Sequence, residues 1–262
     1  MQKIIHYCWF GGAPLSSVAE SSLASWKKFA PGFELKRWDE SNFDCHCCKW
    51  ASDAYDARRW AFVADYVRFK VLHEFGGIYM DVGSELVKDI TPLMGEVPFT
   101  AIEELSVTAT PGLIVAVEPY NPVIGAVVAK YESATFCDDS EFLSKNIVNK
   151  IFTAELEKIG FKRVNEKQHF GDWTVLDSAA FDPVYGVGGY HIKSNTYSVH
   201  HSSGSWVEPK YRIKRKVVRK CSPFLGRRLS QILGRILAEL SDGGVVDGSK
   251  KIFEVAREKI AK

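Results

Sequence analysis

The chain has 262 residues, with 34 Lys and Arg against 32 Asp and Glu, and 46% of its residues are hydrophobic. These proportions are those of an ordinary globular protein that can bury a large core, and they exclude a disordered chain. No apolar run reaches the roughly 18–20 residues that a membrane-spanning helix requires, and the N-terminal residues show no signal-peptide pattern. We therefore expect a cytoplasmic protein.

The predicted strands and helices alternate along the first half of the chain. Strands are predicted at residues 3–10, 33–38, 78–82, 98–103, 113–117, 174–176 and 197–201. Helices are predicted from Pro14 to residue 30 and at residues 53–75, 123–131 and 141–160. Such alternation favours an α/β fold in which helices cover both faces of one sheet.

The helix predicted at residues 53–75 carries charged residues beside its apolar stripe. Asp65 and Arg68 are three residues apart and therefore neighbours on the helix surface. Arg58, two turns earlier, lies close to Asp65 on the same helical wheel. By themselves these residues are compatible with a surface ion pair as well as with a binding site.

One carboxylate follows a predicted buried strand. Asp81 lies near the carboxyl end of the strand at residues 78–82, where ligands of open α/β sheets gather. It can bind a cation or a sugar hydroxyl, or it can cap a loop. Glu85 points to the same face as Asp81 if the strand continues.

Polar residues also follow the strand predicted at residues 197–201. His200 and His201 end this strand, and Ser205 and Trp206 come after a turn of small residues. Imidazole is a good ligand for ions such as Mn²⁺, and the hydroxyl and indole donors suit phosphate oxygens.

The cysteines are expected to be reduced thiols. Cys45, His46, Cys47 and Cys48 suggest zinc, but four consecutive residues cannot all reach one tetrahedral centre and no second ligand pair follows. A cysteine-rich loop is therefore favoured over a zinc site.

Four segments together resemble glycosyltransferase family 32, the group with a DXD sugar-binding region found in capsule and O-antigen loci. They are KIIHYCWFGG at residues 3–12, the helix segment at 61–77, GGIYMD at 76–81 and HHSSGSW at 200–206. A more distant likeness is to the large clostridial glucosylating toxins. The resemblance covers residues 1–208 as one domain, and it implies a GT-A fold with a Rossmann-like mixed sheet. It also implies retaining transfer from a nucleotide sugar, with the leaving phosphate taking the acceptor proton.

Matching the motifs residue by residue gives the implied roles. Asp65, Arg68 and Asp81 match the catalytic group, in which the first two hold the hydroxyls of the donor sugar. Trp9 matches the aromatic residue that stacks on the nucleobase. The implied donor-binding residues are Tyr7, Trp9, Arg58, Asp65, Arg68, Asp81, Ser205 and Trp206.

The chain departs from the family at the second acid of the motif, because it reads Asp81-Val82-Gly83. The implied metal ligands are Asp81 and His200, with Glu85 and His201 as further candidates. The expected cofactor is Mn²⁺ or Mg²⁺. Three possibilities stay open: a weaker metal site, a cation held mainly by the diphosphate, or loss of metal dependence.

The C-terminal residues 209–262 are expected to form a basic, amphipathic helical tail. Ten basic residues and no acid lie between Pro209 and Ile236, which leaves 24 basic against 32 acidic residues elsewhere. A basic helix with an apolar face can lie on an anionic membrane, or it can pack on the domain. Nucleic acid is not an expected partner, since the acidic body would repel phosphates.

The sequence thus predicts a transferase at the inner face of the plasma membrane. It is expected to move a hexose or N-acetylhexosamine from a UDP-sugar to a lipid-linked oligosaccharide or a surface polysaccharide. The alternatives are a GDP-mannose-dependent mannosyltransferase, a non-catalytic nucleotide-sugar or glycan-binding protein, and a membrane scaffold.

Overall fold

A mixed β-sheet organises the computed structural model, which describes residues 1–104, 106–183, 191–201 and 229–238 together with residues 217 and 221. The strands are β1 Ile4–Cys8, β2 Glu34–Trp38, β3 Gly77–Tyr79, β4 Ser84–Leu86, β5 Phe99–Glu103, β6 Thr108–Ala109, β7 Val115–Val117, β8 Gln168–Phe170, β9 Trp173–Leu176 and β10 Ser198–His200. The helices are α1 Ser17–Phe29, α2 Lys49–Asp56, α3 Trp60–Phe75, α4 Pro122–Ser133, α5 Ser140–Lys145, α6 Val148–Glu157 and α7 Ser178–Phe181, with a 3₁₀ turn at Thr91–Glu96.

The main sheet has the strand order β2-β1-β3-β7-β5-β9-β8, and β6 pairs with β5. Strands β1, β2 and β3 are parallel, β7 runs antiparallel to both β3 and β5, and β5 is parallel to β9. The carboxyl ends of β1, β2, β3, β5 and β9 therefore lie at one edge of the sheet. A separate two-stranded sheet pairs β4 with β10.

Helices cover both faces of this sheet, because successive side chains of a strand point to opposite faces. In β1, Ile5 packs in one core together with Trp26 of α1, whereas Cys8 packs in a second core with Leu72 of α3. Trp26 and Leu72 are fully excluded from solvent. The predicted α/β class, with a mixed sheet flanked by helices, is confirmed.

Two glycines join α3 directly to β3. Gly76 ends the helix with φ +63°, and Gly77 follows with φ +93°. Residues other than glycine rarely adopt such positive φ values. A Cβ on Gly77 would also lie 2.9 Å from the carbonyl oxygen of Ile4. Helix α3 and strand β3 are thus joined without an intervening loop.

A buried histidine fastens this junction to β1 and β2. His6 accepts a hydrogen bond at Nδ1 from the indole of Trp38 (3.1 Å) and donates from Nε2 to the carbonyl oxygen of Gly76 (2.9 Å). Desolvation lowers the pKa of His6 to about 4. The ring is therefore neutral at pH 7.

The single helix predicted at residues 53–75 is two helices. Helix α2 ends after Asp56, where Arg58 adopts φ +54°. The amide of Arg58 donates to Tyr55, and that of Arg59 donates to the carbonyl of Ala54. These two bonds are those of a helix-terminating Schellman motif, with arginine at the position that glycine usually occupies.

The helix predicted at residues 141–160 is also interrupted. Its break lies at Asn146 and Ile147, where the Asn146 side chain donates to the carbonyl oxygen of Phe142 at 2.9 Å. Ile147 then adopts an extended conformation before α6 begins. The backbone amide of Asn146 donates to the same carbonyl oxygen at 3.0 Å, so the side chain adds a second bond at the last turn of α5, and the extended Ile147 ends the helix.

The described parts of the chain form two compact units. Residues up to Pro183 and those from Ile192 to His201 belong to the first unit. Residues 229–238 belong to the second unit and are helical, which agrees with the apolar spacing of the predicted tail. None of the described helices has the length and apolarity needed to cross a membrane. The predicted division into residues 1–208 and 209–262 stays a prediction.

Candidate functional site

Arg68 lies between two carboxylates at the carboxyl edge of the main sheet. Its Nη2 atom is 2.7 Å from Oδ1 of Asp65 and 3.5 Å from Oδ1 of Asp81. Asp65 and Arg68 are buried, whereas 35% of the Asp81 side chain is exposed. The structure thus brings together the three residues predicted to be catalytic, and Asp81 gives a ligand access to the group.

Tyr79 holds both Arg68 and Asp81 in place. Its hydroxyl donates to Oδ1 of Asp81 at 2.9 Å, and the Arg68 guanidinium lies 4.9 Å above the centre of its ring. Arg68 also donates from Nε to the carbonyl oxygen of Ala64 at 3.2 Å. Since ring, backbone and carboxylates all fix the guanidinium, the cluster is ordered before any ligand binds.

Burial changes the ionisation of Asp65. Desolvation raises the pKa of its carboxyl to about 7, although the nearby charge of Arg68 lowers it, and the charge of Asp81 adds to the rise. Of these influences only the charge of Arg68 favours the carboxylate form, so the ionisation of Asp65 depends on its pairing with that guanidinium.

The turn before β7 packs directly against Asp81. The amide of Asp81 donates to the carbonyl oxygen of Gly112 at 2.9 Å. A Cβ on Gly112 would lie 2.2 Å from Oδ2 of Asp81 and 3.4 Å from Nη1 of Arg68. Glycine is therefore required at this position for the observed carboxylate orientation.

The β4–β10 sheet places the two histidines beside the turn that follows Asp81. His200 pairs in register with Ser84, and the amide of His201 donates to the carbonyl of Gly83 at 2.7 Å. A Cβ on Gly83 would lie 3.3 Å from Nε2 of His200. His200 is thus adjacent to the position where the family motif has its second acid.

The strand that precedes Asp81 does not continue to Glu85, so the condition for placing both acids on one strand face is not met. β3 ends at Tyr79, a turn follows, and Glu85 belongs to β4. Its Oε2 atom lies 2.6 Å from Nε2 of His201. Glu85 and His201 thus pair with each other.

The described residues do not bring together three His, Cys, Asp or Glu side chains as a metal site. The zinc interpretation of Cys45–Cys48 thus gains no support. Asp81 and His200 both lie beside Gly83 and could supply two ligands to a cation. This number is common for Mg²⁺, for which water and substrate phosphates provide the remaining ligands.

The other predicted donor contacts lie apart from Arg68 or outside the described residues. Trp9 follows β1 at the same sheet edge as Asp81; it is half-buried, and its indole donates to the carbonyl oxygen of Ala13 at 2.7 Å. The Tyr7 ring packs edge-on against Trp26 on the opposite face of the sheet from α3.

Arg58 is exposed in the turn between α2 and α3. Its predicted place beside Asp65 on one helix is wrong, because the helix breaks there. Ser205 and Trp206 lie outside the described residues. The roles of Tyr7, Trp9, Arg58, Ser205 and Trp206 as donor contacts stay predictions.

Sequence reasoning missed two residues of the cluster. Tyr79 is part of the GGIYMD segment, so its position two residues before Asp81 was a usable signal. Gly112 is remote in sequence and carries no local pattern that relates it to Asp81. Only its contact with Asp81 reveals its role.

Asp65, Arg68, Tyr79 and Asp81 lie within a segment that matches a known family. Residues 17–100 match the model of the glycosyltransferase sugar-binding region containing a DXD motif. No relative among curated protein sequences matches the chain.

Two solved structures are similar to parts of the chain. The PaToxG glycosyltransferase is 18% identical over 60% of this chain and 68% of its own, with a TM-score of 0.45. The catalytic domain of alpha-toxin from Clostridium novyi is 10% identical over 95% of this chain and 66% of its own, with a TM-score of 0.28. About a third of the chain, including Asp65, Arg68 and Asp81, is thus similar to the DXD-containing sugar-binding region of glycosyltransferases.

Proposed function

We propose that the protein is a retaining glycosyltransferase of the GT-A type that belongs to family 32. It transfers a hexose or N-acetylhexosamine from a nucleotide sugar, UDP-linked in the first instance, to a surface polysaccharide or a lipid-linked oligosaccharide. The observation that carries the proposal is the ordered group of Asp65, Arg68 and Asp81, which lies at the carboxyl edge of the sheet inside the segment similar to the sugar-binding region.

The chemistry of this group suits a donor sugar. Carboxylate oxygens accept hydrogen bonds from sugar hydroxyls, and the guanidinium of Arg68 donates to ring and hydroxyl oxygens. Tyr79 and Gly112 hold Asp81 in one orientation. A sugar held by such fixed groups keeps its anomeric carbon oriented towards the acceptor, which lowers the entropic part of the barrier.

The reaction breaks the bond between the anomeric carbon and the diphosphate. Negative charge grows on the departing nucleotide, and donors aimed at it typically contribute about 2.7–4 kcal/mol each. We assign this donor role to Ser205 and Trp206, whereas His200 would act through the cation. The leaving phosphate takes the proton of the acceptor hydroxyl, so no separate base is needed.

A divalent cation, Mn²⁺ or Mg²⁺, would act as a Lewis acid on the diphosphate oxygens. Asp81 and His200 are the residues that would hold it. Asp81 keeps an exposed side for this purpose, and Gly83 provides no further ligand.

A nucleotide-release assay over UDP- and GDP-sugars, with and without Mn²⁺, tests the proposal. We expect slow release of the nucleotide from one donor and faster release with acceptor. Release from a GDP-linked donor alone would identify the protein as a GDP-mannose-dependent enzyme. Absence of release across the whole panel would contradict the transferase.

A non-catalytic nucleotide-sugar or glycan-binding protein is the second candidate. Gly83 in place of the second acid and the pairing of Glu85 with His201 favour it, because both remove possible metal ligands. Calorimetry separates the two: binding of a nucleotide sugar at micromolar affinity, without release under any condition, would identify the binding protein.

We also propose that the protein is cytoplasmic and peripheral at the inner face of the plasma membrane. The ten basic residues between Pro209 and Ile236 support this location, since each contributes about 1 kcal/mol near an anionic surface. Cosedimentation with phosphatidylglycerol vesicles should fall when residues after Lys210 are deleted. A full-length chain that never binds these vesicles would contradict the location.

A further inference from the structure

Asp177 lies at the same edge of the main sheet as Asp81, three strands further along the sheet. It directly follows β9, as Asp81 follows β3. Strands β7 and β5 lie between them, so three strand spacings, about 14 Å, separate the two strand ends. A donor sugar at Asp81 leaves room along this edge for a second sugar ring.

One oxygen of the Asp177 carboxylate is unpaired in the part of the chain that the structure describes. This oxygen, Oδ1, is shielded from solvent and accepts no hydrogen bond from any described residue. An Asp before a helix usually caps it, but the Asp177 side chain makes no capping bond to α7. A buried carboxylate oxygen without a hydrogen bond destabilises the folded protein. The presence of Asp177 at this position therefore needs an explanation other than stability.

The groups around Asp177 are fully engaged with one another. The amide of Ser178 donates to Oδ1 of Asn165 at 2.9 Å, and the Ser178 hydroxyl donates to Glu104. Asn165 donates from Nδ2 to the same Glu104 carboxylate at 2.8 Å. These bonds fix the backbone at Ser178, directly after Asp177, and none of them uses the Asp177 carboxylate.

One stretch of chain connects this region to Asp81. Glu104 accepts a hydrogen bond from Ser178. Eight residues later in the chain, the carbonyl oxygen of Gly112 accepts a hydrogen bond from the amide of Asp81. Between them, β6 pairs with β5 through Thr108 and Glu103. Contacts from this part of the chain thus reach both the residue after Asp177 and the backbone of Asp81.

We propose that Asp177 binds a hydroxyl group of the carbohydrate acceptor, so that the ends of β5 and β9 form the acceptor subsite. This inference rests on the proposed glycosyl transfer and specifies where its second substrate lies. A hydroxyl donor suits a lone carboxylate, and a cation does not, because no three acidic, His or Cys side chains of the described residues converge here. Asp177 is half-buried rather than fully buried, so a hydroxyl group can approach its carboxylate from the exposed side of the residue.

The test compares Asp177→Asn with Asp172→Asn, a matched control at the exposed turn between β8 and β9. Basal nucleotide release from the donor sugar is measured first, and then its acceleration by a panel of methyl hexosides. We expect Asp177→Asn to keep basal release but to lose about tenfold in the acceleration, because its neutral amide oxygen accepts a weaker hydrogen bond than a carboxylate does. Asp172→Asn should match the unmodified protein in both.

A thermal melt of Asp177→Ala provides a readout that needs no acceptor. Its melting temperature should equal or exceed that of the unmodified protein, because an unpaired carboxylate is removed. A clear decrease would mean a structural role and would overturn the inference.

The kinetic outcomes are equally decisive. The inference would be overturned if Asp177→Asn kept the full acceleration, or if it lost basal release in parallel. It would also be overturned if no methyl hexoside accelerated nucleotide release by the unmodified protein. Failure of the unmodified protein to release nucleotide from any donor would instead contradict the proposed function itself.

Discussion

The carboxylate of Asp65 lies 2.7 Å from the guanidinium of Arg68, and both side chains are buried. Removing one partner of a buried ion pair typically costs about 3–5 kcal/mol, because the other charge stays desolvated. We therefore expect Asp65→Ala to lower the free energy of unfolding by about this amount, as measured by denaturant titration.

The surface pair Lys49–Asp53 is the matched control, since its Nζ–Oδ1 distance is 2.9 Å but both side chains are accessible. Asp53→Ala should cost less than about 1 kcal/mol. Equal losses for the two variants would contradict a special role of burial at Asp65. Asp65→Asn, which keeps the shape of the side chain, should still lose nucleotide release.

Gly112→Ala should disable the site without affecting the fold elsewhere. The added Cβ would lie 2.2 Å from Oδ2 of Asp81, so the short Asp81 side chain must turn away from its present position. We expect at least about a tenfold loss of nucleotide release, corresponding to about 1.4 kcal/mol of barrier. Gly95→Ala meets no atom within 4 Å and should retain full release; normal release by Gly112→Ala would show that the orientation of Asp81 is unimportant.

Gly83→Asp should create a stronger cation site. Its side chain would emerge next to His200, with the Cβ 3.3 Å from Nε2. It would add one carboxylate to the ligands that Asp81, His200 and the diphosphate oxygens supply. Mn²⁺ titration followed by electron paramagnetic resonance, with nucleoside diphosphate present, should show tighter binding than in the unmodified protein. Gly83→Asn has the same shape but is a weaker ligand and should show a smaller gain. Identical affinities in all three proteins would mean that Asp81 and His200 do not face the cation.

His6 should make stability depend on pH in the acidic range. Desolvation lowers its pKa from 6.5 to about 4 in the folded protein, so the unfolded chain binds more protons between these values. Stability is then fully present above pH 6.5 and decreases as the pH falls towards 4, by up to about 1.4 kcal/mol per pH unit. Denaturant titrations at pH 7 and pH 5 should show a smaller decrease in His6→Gln than in the unmodified protein. His46 is exposed, so His46→Gln should leave the decrease unchanged, and a decrease unaltered in His6→Gln would refute the assignment.

Local sequence patterns were sufficient for most of the fold. The β-branched and aromatic runs located β1, β2, β5 and β9, and the diglycine at Gly76-Gly77 located the end of α3 and the start of β3. These features depend on propensity, periodicity and the conformational freedom of glycine, which act over a few residues. The break at Arg58 was missed because arginine occupies a position where a glycine would have been the usual signal.

The candidate site was only partly accessible to such reasoning. Asp65 and Arg68 lie on one helix, and their pairing followed from a spacing of three residues. Glu85 was misplaced because the strand was assumed to continue past Tyr79, whereas β4 pairs instead with β10. Asp177 was not singled out, because nothing in its neighbouring sequence relates it to Asp81.

The sequence by itself determined an α/β chain with an acidic body, a basic C-terminal stretch and a charged pair on its central helix. Only the tertiary structure decided that Arg68 also faces Asp81, that Gly112 sets the orientation of that carboxylate, and that Glu85 pairs with His201. Secondary structure is encoded by neighbouring residues, whereas a binding site is formed by contacts between strand ends that are distant in the chain. The order and direction of the strands, which bring those ends to one edge, are fixed by packing of the whole sheet.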